Sequence, residues 1–109
     1  MPGVEKTLRL LKQKGLKIGL CSGSYLNQIQ LLLTNLNISS YFDAIISCED
    51  TDKHKPDPEP YLIAARKLNV PPEHCLVFED AETGVKAAKK AGMKCVGVMI
   101  GNHGTQNLQ

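Results

Sequence analysis

Hydrophobic residues along this chain switch repeatedly between a helical and an extended rhythm. Val4, Leu8 and Leu11 recur at helical spacing between Pro2 and Gly15, which suit the first turn of a helix and the position just past its end. Lys17 to Cys21 is a short apolar run, read as a buried strand. Ser22-Gly23-Ser24 makes a turn, and Leu26, Ile29, Leu32, Leu33 and Leu36 form the face of a second helix. Ala44 to Ser47 reads as a second strand, followed by a polar loop from Cys48 to Asp57. Pro58 opens a third helix with Tyr61, Leu62, Ala65 and Leu68 on one face. Asn69 to His74 is a proline-rich turn, and Cys75-Leu76-Val77-Phe78 is the clearest strand, ended by Glu79 and Asp80. Val85, Ala88 and the neighbouring alanines make a short helix that Gly92 stops, and Cys95 to Ile100 is the last strand.

The order αβαβαβαβ with short connections predicts an α/β fold, a parallel sheet of four strands with helices on both faces. Its 109 residues allow one small domain, placed at 1–101, with 102–109 as a loose polar tail. In such folds ligands sit beyond the carboxyl ends of the strands. Ser22, the loop of Lys55 and the Glu79-Asp80 pair all fall there.

A net charge of +2 is too small to argue for nucleic acid or a membrane surface as partner. No apolar run approaches the ~20 residues that span a bilayer, and the first residues lack the pattern of a signal peptide. Cys21, Cys48, Cys75 and Cys95 are far apart, with no C-x-x-C, and lie in or beside apolar runs. They read as small buried thiols of a cytoplasmic protein rather than as a zinc or redox motif.

The chemistry-bearing residues are few. Ser22 with Gly23 follows a strand and precedes a helix, where a hydroxyl and free N–H groups can receive an anion; a plain N-cap is the alternative. Lys55 precedes Pro56, which biases it toward an extended conformation from which its ammonium can reach over the strand ends. Lys53 and His54 read as solvated loop residues. Glu79-Asp80 places two acids directly after an apolar strand, where burial calls for compensation. Mg²⁺, which takes few carboxylates and keeps phosphate oxygens and water, would supply it. Asp80 also resembles the start of the next helix, and one acid on the metal with the other capping satisfies both readings.

Leu20-Cys21-Ser22-Gly23-Ser24, His54-Lys55-Pro56-Asp57-Pro58 and Phe78-Glu79-Asp80-Ala81-Glu82-Thr83-Gly84-Val85 stand in that order. They resemble the second, third and fourth motifs of haloacid dehalogenase-like hydrolases, with most likeness to the branch of β-phosphoglucomutase and phosphoglycolate-type phosphatases. Ala87-Ala88-Lys89-Lys90-Ala91-Gly92-Met93 continues the match, which covers nearly all of residues 2 to 101. The resemblance implies a Rossmann-like core and Mg²⁺-dependent phosphoryl transfer on a small phosphorylated metabolite through an aspartyl-phosphate. Ser22 and Gly23 would bind the phosphoryl group, Lys55 would balance its charge, and Asp80 supported by Glu79 would hold Mg²⁺.

The family's first motif, Asp-x-Asp-Gly-Thr after a strand, does not occur in these residues, and neither does its cap domain. Asp50-Thr51-Asp52 has the acid spacing but lacks Gly-Thr and sits in the loop before Lys55. The resemblance places that first strand at the centre of the sheet, between the strand of Lys17 to Cys21 and that of Cys75 to Phe78. These two strands are therefore expected to collapse together, to accept a strand from a partner chain, or to belong to a fragment of a longer protein. The fragment, inactive alone, is the favoured expectation. A non-catalytic homologue that binds Mg²⁺ or phosphate, or pairs with a partner, is the alternative.

Overall fold

The computed structural model describes residues 3–79 and 81–97. Met1, Pro2, Asp80, the end of the last expected strand and the tail at 102–109 lie outside the described residues. The chain runs α1 (Val4–Gln13), β1 (Gly19–Cys21), α2 (Leu26–Asn35), β2 (Ala44–Ile46), α3 (Glu59–Leu68), β3 (Leu76–Glu79), α4 (Glu82–Lys90) and β4 (Lys94–Gly97). Three short 3₁₀ turns, Ser39–Tyr41, Cys48–Asp50 and Pro72–His74, fall where the sequence offered no period. The fold is α/β with parallel strands, as the alternation of elements predicts.

The strands do not form a single sheet. β1 pairs with β2 in parallel, with Leu20 opposite Ile45, and β3 pairs with β4, with Val77 opposite Cys95. The two pairs stay separate, and β1 and β3 neither join nor collapse onto each other. Backbone hydrogen bonds show which edge is used. Ser22 N–H donates to Ile46 O at 2.9 Å and Ala44 N–H to Ile18 O at 3.4 Å. Alternate residues of β1 thus serve β2, and Gly19 and Cys21 turn their backbone groups to the opposite edge. Lys94 N–H donates to Cys75 O, so Leu76 and Phe78 turn theirs away from β4 in the same way.

Side-chain alternation sorts the core into two clusters. Leu20 and Ile45 face Ile29, Leu33 and Ile38, with Val4 and Leu8 of α1 packed alongside. Cys21 faces the other way, into a cluster of Tyr61, Ala65, Ala87, Ala88, Ala91 and Met93 that also takes Val77 and Cys95. The alanines let α3 and α4 approach closely, and Gly19 does the same for β1. A Cβ at Gly19 would stand 3.2 Å from Leu68 Cδ1. Among the described residues, no helix is long and apolar enough to cross a membrane.

Candidate active site

A cleft of about 310 Å³ opens at the carboxyl ends of β1 and β2, lined by Ser22, Gly23, Ser47, Cys48, Thr51 and Lys55 together with His54 and Pro60. Its walls are tied by local hydrogen bonds. Ser22 Oγ accepts from Ser24 N–H at 3.1 Å, which closes the turn after β1. Ser22 is therefore not the cap of α2, whose first residue is Leu26. Gln28 Oε1 accepts from Tyr25 N–H at 3.2 Å, and Glu49 Oε1 accepts from Leu26 N–H at 2.9 Å. A carboxylate of the chain's own thus occupies a helix-start donor that the sequence offers to an external anion. The Ser22-Gly23 turn remains as one wall of the cleft. A Cβ on Gly23 would meet no described atom within 4 Å, so packing does not demand a glycine there.

Lys55 sits in a turn anchored at both sides. Glu59 Oε1 accepts from Asp52 N–H and Lys53 N–H at 2.7 and 2.9 Å, and Asp57 Oδ1 accepts from Glu59 N–H, the first residue of α3, at 2.9 Å. The Lys55-Pro56 peptide is cis. From this turn the Lys55 ammonium donates to Cys21 O at 3.4 Å and to Glu79 Oε2 at 3.2 Å. One cation thus bridges the carboxyl end of β1 to that of β3.

Glu79 lies within β3 rather than after it, and its carboxylate is heavily engaged. Tyr61 OH donates to Oε2 at 2.7 Å, and Ala81 N–H donates to Oε1 at 3.1 Å. Burial opposes its charge, but the bonds from Tyr61, Ala81 and Lys55 outweigh that and hold its pKa below the ordinary carboxylate value. Tyr61 is shifted the opposite way, upward, by burial and by donating to this carboxylate. Cys21, whose thiol donates to Pro60 O, is pushed up to about 11 by burial, against the opposing pull of Lys55. Room for Glu79 comes from α4: a Cβ at Gly84 would overlap the Glu79 carboxylate at Oε2.

Ser22, Gly23 and Lys55 line one cleft, and Glu79 stands behind Lys55. Asp80 lies outside the described residues. Among the described residues, no three of His, Cys, Asp and Glu form a group able to hold a metal. Glu79 fits a direct metal ligand poorly, because its oxygens take at least three donors among the described residues, one of them an ammonium that repels a cation. Asp50 is committed elsewhere. Its Oδ2 accepts from Ser47 N–H at 2.7 Å and from Ser47 Oγ at 3.1 Å, and the backbone bond lowers its pKa. Sequence reasoning missed Tyr61, read only as part of an apolar face, and also Ser47, Cys48 and Thr51. A tyrosine among leucines and alanines was the available signal, because a buried hydroxyl needs a partner.

The family model of haloacid dehalogenase-like hydrolases matches residues 1–92. The chain is 43% identical over 98 residues to a β-phosphoglucomutase of Bacillus subtilis, covering 90% of this chain and 42% of that protein. It is 39% identical over 93 residues to a phosphorylated carbohydrates phosphatase of Thermotoga maritima, covering 85% of this chain and 43% of the relative. A crystal structure of a β-phosphoglucomutase from Clostridium difficile superposes with a TM-score of 0.82 at 38% identity, over 97% of this chain and 46% of that one. The chain thus spans less than half the length of each.

Proposed function

The chain belongs to the haloacid dehalogenase-like hydrolases, and from that premise we propose that it is the phosphate-gripping part of a Mg²⁺-dependent phosphatase or phosphomutase. The substrate class is a small phosphorylated metabolite, in keeping with the carbohydrate-phosphate enzymes it resembles. The observation that carries this reading is the Lys55 ammonium at the edge of the Ser22-Gly23 cleft, held from both strand pairs. The Ser22 hydroxyl and the turn's N–H groups bind phosphoryl oxygens, and Lys55 offsets the charge on them. Mg²⁺, when bound, neutralises the transferring group; Asp80 would hold it, with Glu79 supporting from behind Lys55. The four free thiols fit a cytoplasmic setting.

The reaction would pass through an aspartyl-phosphate, and the 109 residues contain no Asp-x-Asp-Gly-Thr to form one. Calorimetric titration of this chain with inorganic phosphate and Mg²⁺ should therefore show binding that Lys55→Met abolishes, without turnover of p-nitrophenyl phosphate. Hydrolysis that Asp80→Ala abolishes would show that the nucleophile lies within these residues after all. Absence of any phosphate binding would remove the gripping role.

The separate strand pairs favour a second, compatible reading, in which the chain works by pairing. The edges of β1 and β3 present backbone donors and acceptors that neither pair uses, next to Leu76 and Phe78, which are 53% and 57% exposed. Such edges take up an extended segment. A strand from the rest of a longer protein, or from a partner chain, would join the two pairs into one sheet ending at Lys55.

A further inference from the structure

We propose that Tyr61 is a positioning residue that holds the Lys55–Glu79 pair, and with it the cation at the edge of the cleft. The inference rests on the reading of the cleft as a phosphate site. Tyr61 is only 7% exposed and lies in the first turns of α3, among alanines and cysteines. It touches both members of the pair through different chemistry. Its hydroxyl donates to Glu79 Oε2 at 2.7 Å, and its ring lies under the Lys55 ammonium, 5.1 Å from Nζ to the ring centroid. That separation is within the reach of a cation–π contact.

The consequence follows from the shared oxygen. Oε2 accepts from both Lys55 and Tyr61, so the hydroxyl takes part of the negative charge that would otherwise draw the ammonium inward. Ala81 N–H holds Oε1, and Gly84 keeps α4 clear of the carboxylate, so the acid has a fixed place. Lysine carries a long flexible stem, and a bond at 3.2 Å to one mobile acid would not fix it. With the ring beneath and the acid clamped, the ammonium stays against Cys21 O, at the cleft. Without the hydroxyl, Glu79 gains freedom to close on Lys55 and pull it away from an anion.

The test uses the 109-residue chain with lysine side chains labelled with ¹⁵N, comparing wild type with Tyr61→Phe, which keeps the ring and removes the donor. In wild type the Lys55 ammonium should be ordered, unlike that of exposed Lys86. In the variant its order should drop, and affinity for inorganic phosphate should fall about tenfold at a temperature where both chains are folded. Unchanged ammonium order in a folded Tyr61→Phe chain overturns the proposal, and so does altered order with phosphate affinity intact. If phosphate binds to neither chain, the reading of the cleft fails separately, and the ammonium signal still decides what Tyr61 does. Should the variant not fold, wild type suffices. A slowly exchanging Tyr61 hydroxyl proton with a cross-peak to the Glu79 side chain is expected, and its absence is equally decisive against the hold.

Discussion

Among the described residues, the half of the molecule built on β1 and β2 is covered on both faces, whereas the half built on β3 and β4 is covered on one. Helix α2, with α1 packed alongside it, covers the face of Leu20 and Ile45, and α3 lies over Gly19 and Cys21. On β3, Val77 packs toward α3 and α4, while Leu76 and Phe78 stand exposed on the opposite side. A parallel strand is ordinarily buried on both faces. The two halves are joined by side chains rather than by a ladder, through the alanine-rich cluster and the Lys55 bridge. Polar groups that would be structural trimming in a continuous sheet therefore carry the connection here.

The strongest way to break this asymmetry is to supply a strand. An apolar peptide ending in Asp-x-Asp-Gly-Thr, added to the chain or fused ahead of it, should pair with both edges, bury Leu76 and Phe78, and bring p-nitrophenyl phosphate turnover from none to measurable. Failure to shield the β1 and β3 amides from hydrogen exchange would argue that the pairs do not accept a strand.

A smaller effect probes β1 from its buried face. With its thiol raised from 9.0 to about 11, Cys21 should hold about one hundredth of the ordinary thiolate fraction at a given pH. Iodoacetamide should accordingly label it far more slowly than an exposed thiol, as mass spectrometry of timed digests would show. Labelling at an ordinary rate would mean that α3 does not seal this face.

Gly84→Ala tests the other half. The new Cβ would overlap the Glu79 carboxylate, and overpacking of this kind costs roughly 1–3 kcal/mol. This exceeds the ~1 kcal/mol that alanine gains over glycine in a helix. A lower urea midpoint is expected; a higher one would show Glu79 swinging out freely. Gly19→Ala, whose tightest new contact is the flexible end of Leu68, with Ala44 O at an ordinary 3.8 Å, should cost less.

The smallest effect lies at the start of β1. Asp43 accepts from Lys12 Nζ and Ile18 N–H, both at 2.7 Å, and these bonds hold its pKa below 3.8. Because the folded form is the stronger acid, its stabilisation is complete above the unfolded value and is lost as pH falls through and below it. The group is exposed, so the loss should be slight and weaker in salt. Asp43→Asn should flatten the acid limb of a pH–stability curve, and an unaltered limb would assign that loss to Glu79 and Asp50, whose depressed pKa values work in the same direction.

Each of the eight helices and strands was visible in the chain's own rhythm, because helix and strand periods are local. Leu8 with Leu11, or Ile29 with Leu33, need only their neighbours in sequence to declare a face. Ser22, Lys55 and Glu79 were visible as polar residues at strand ends, for the same local reason. Tertiary structure alone decided their use. It turned Glu79 toward Lys55 and Tyr61, gave the start of α2 to Glu49, bound Asp50 to Ser47, and split the strands into two pairs. These outcomes depend on which groups meet across long stretches of chain, and a hydrogen bond or an ion pair is set by distance in space, which periodicity in sequence does not encode.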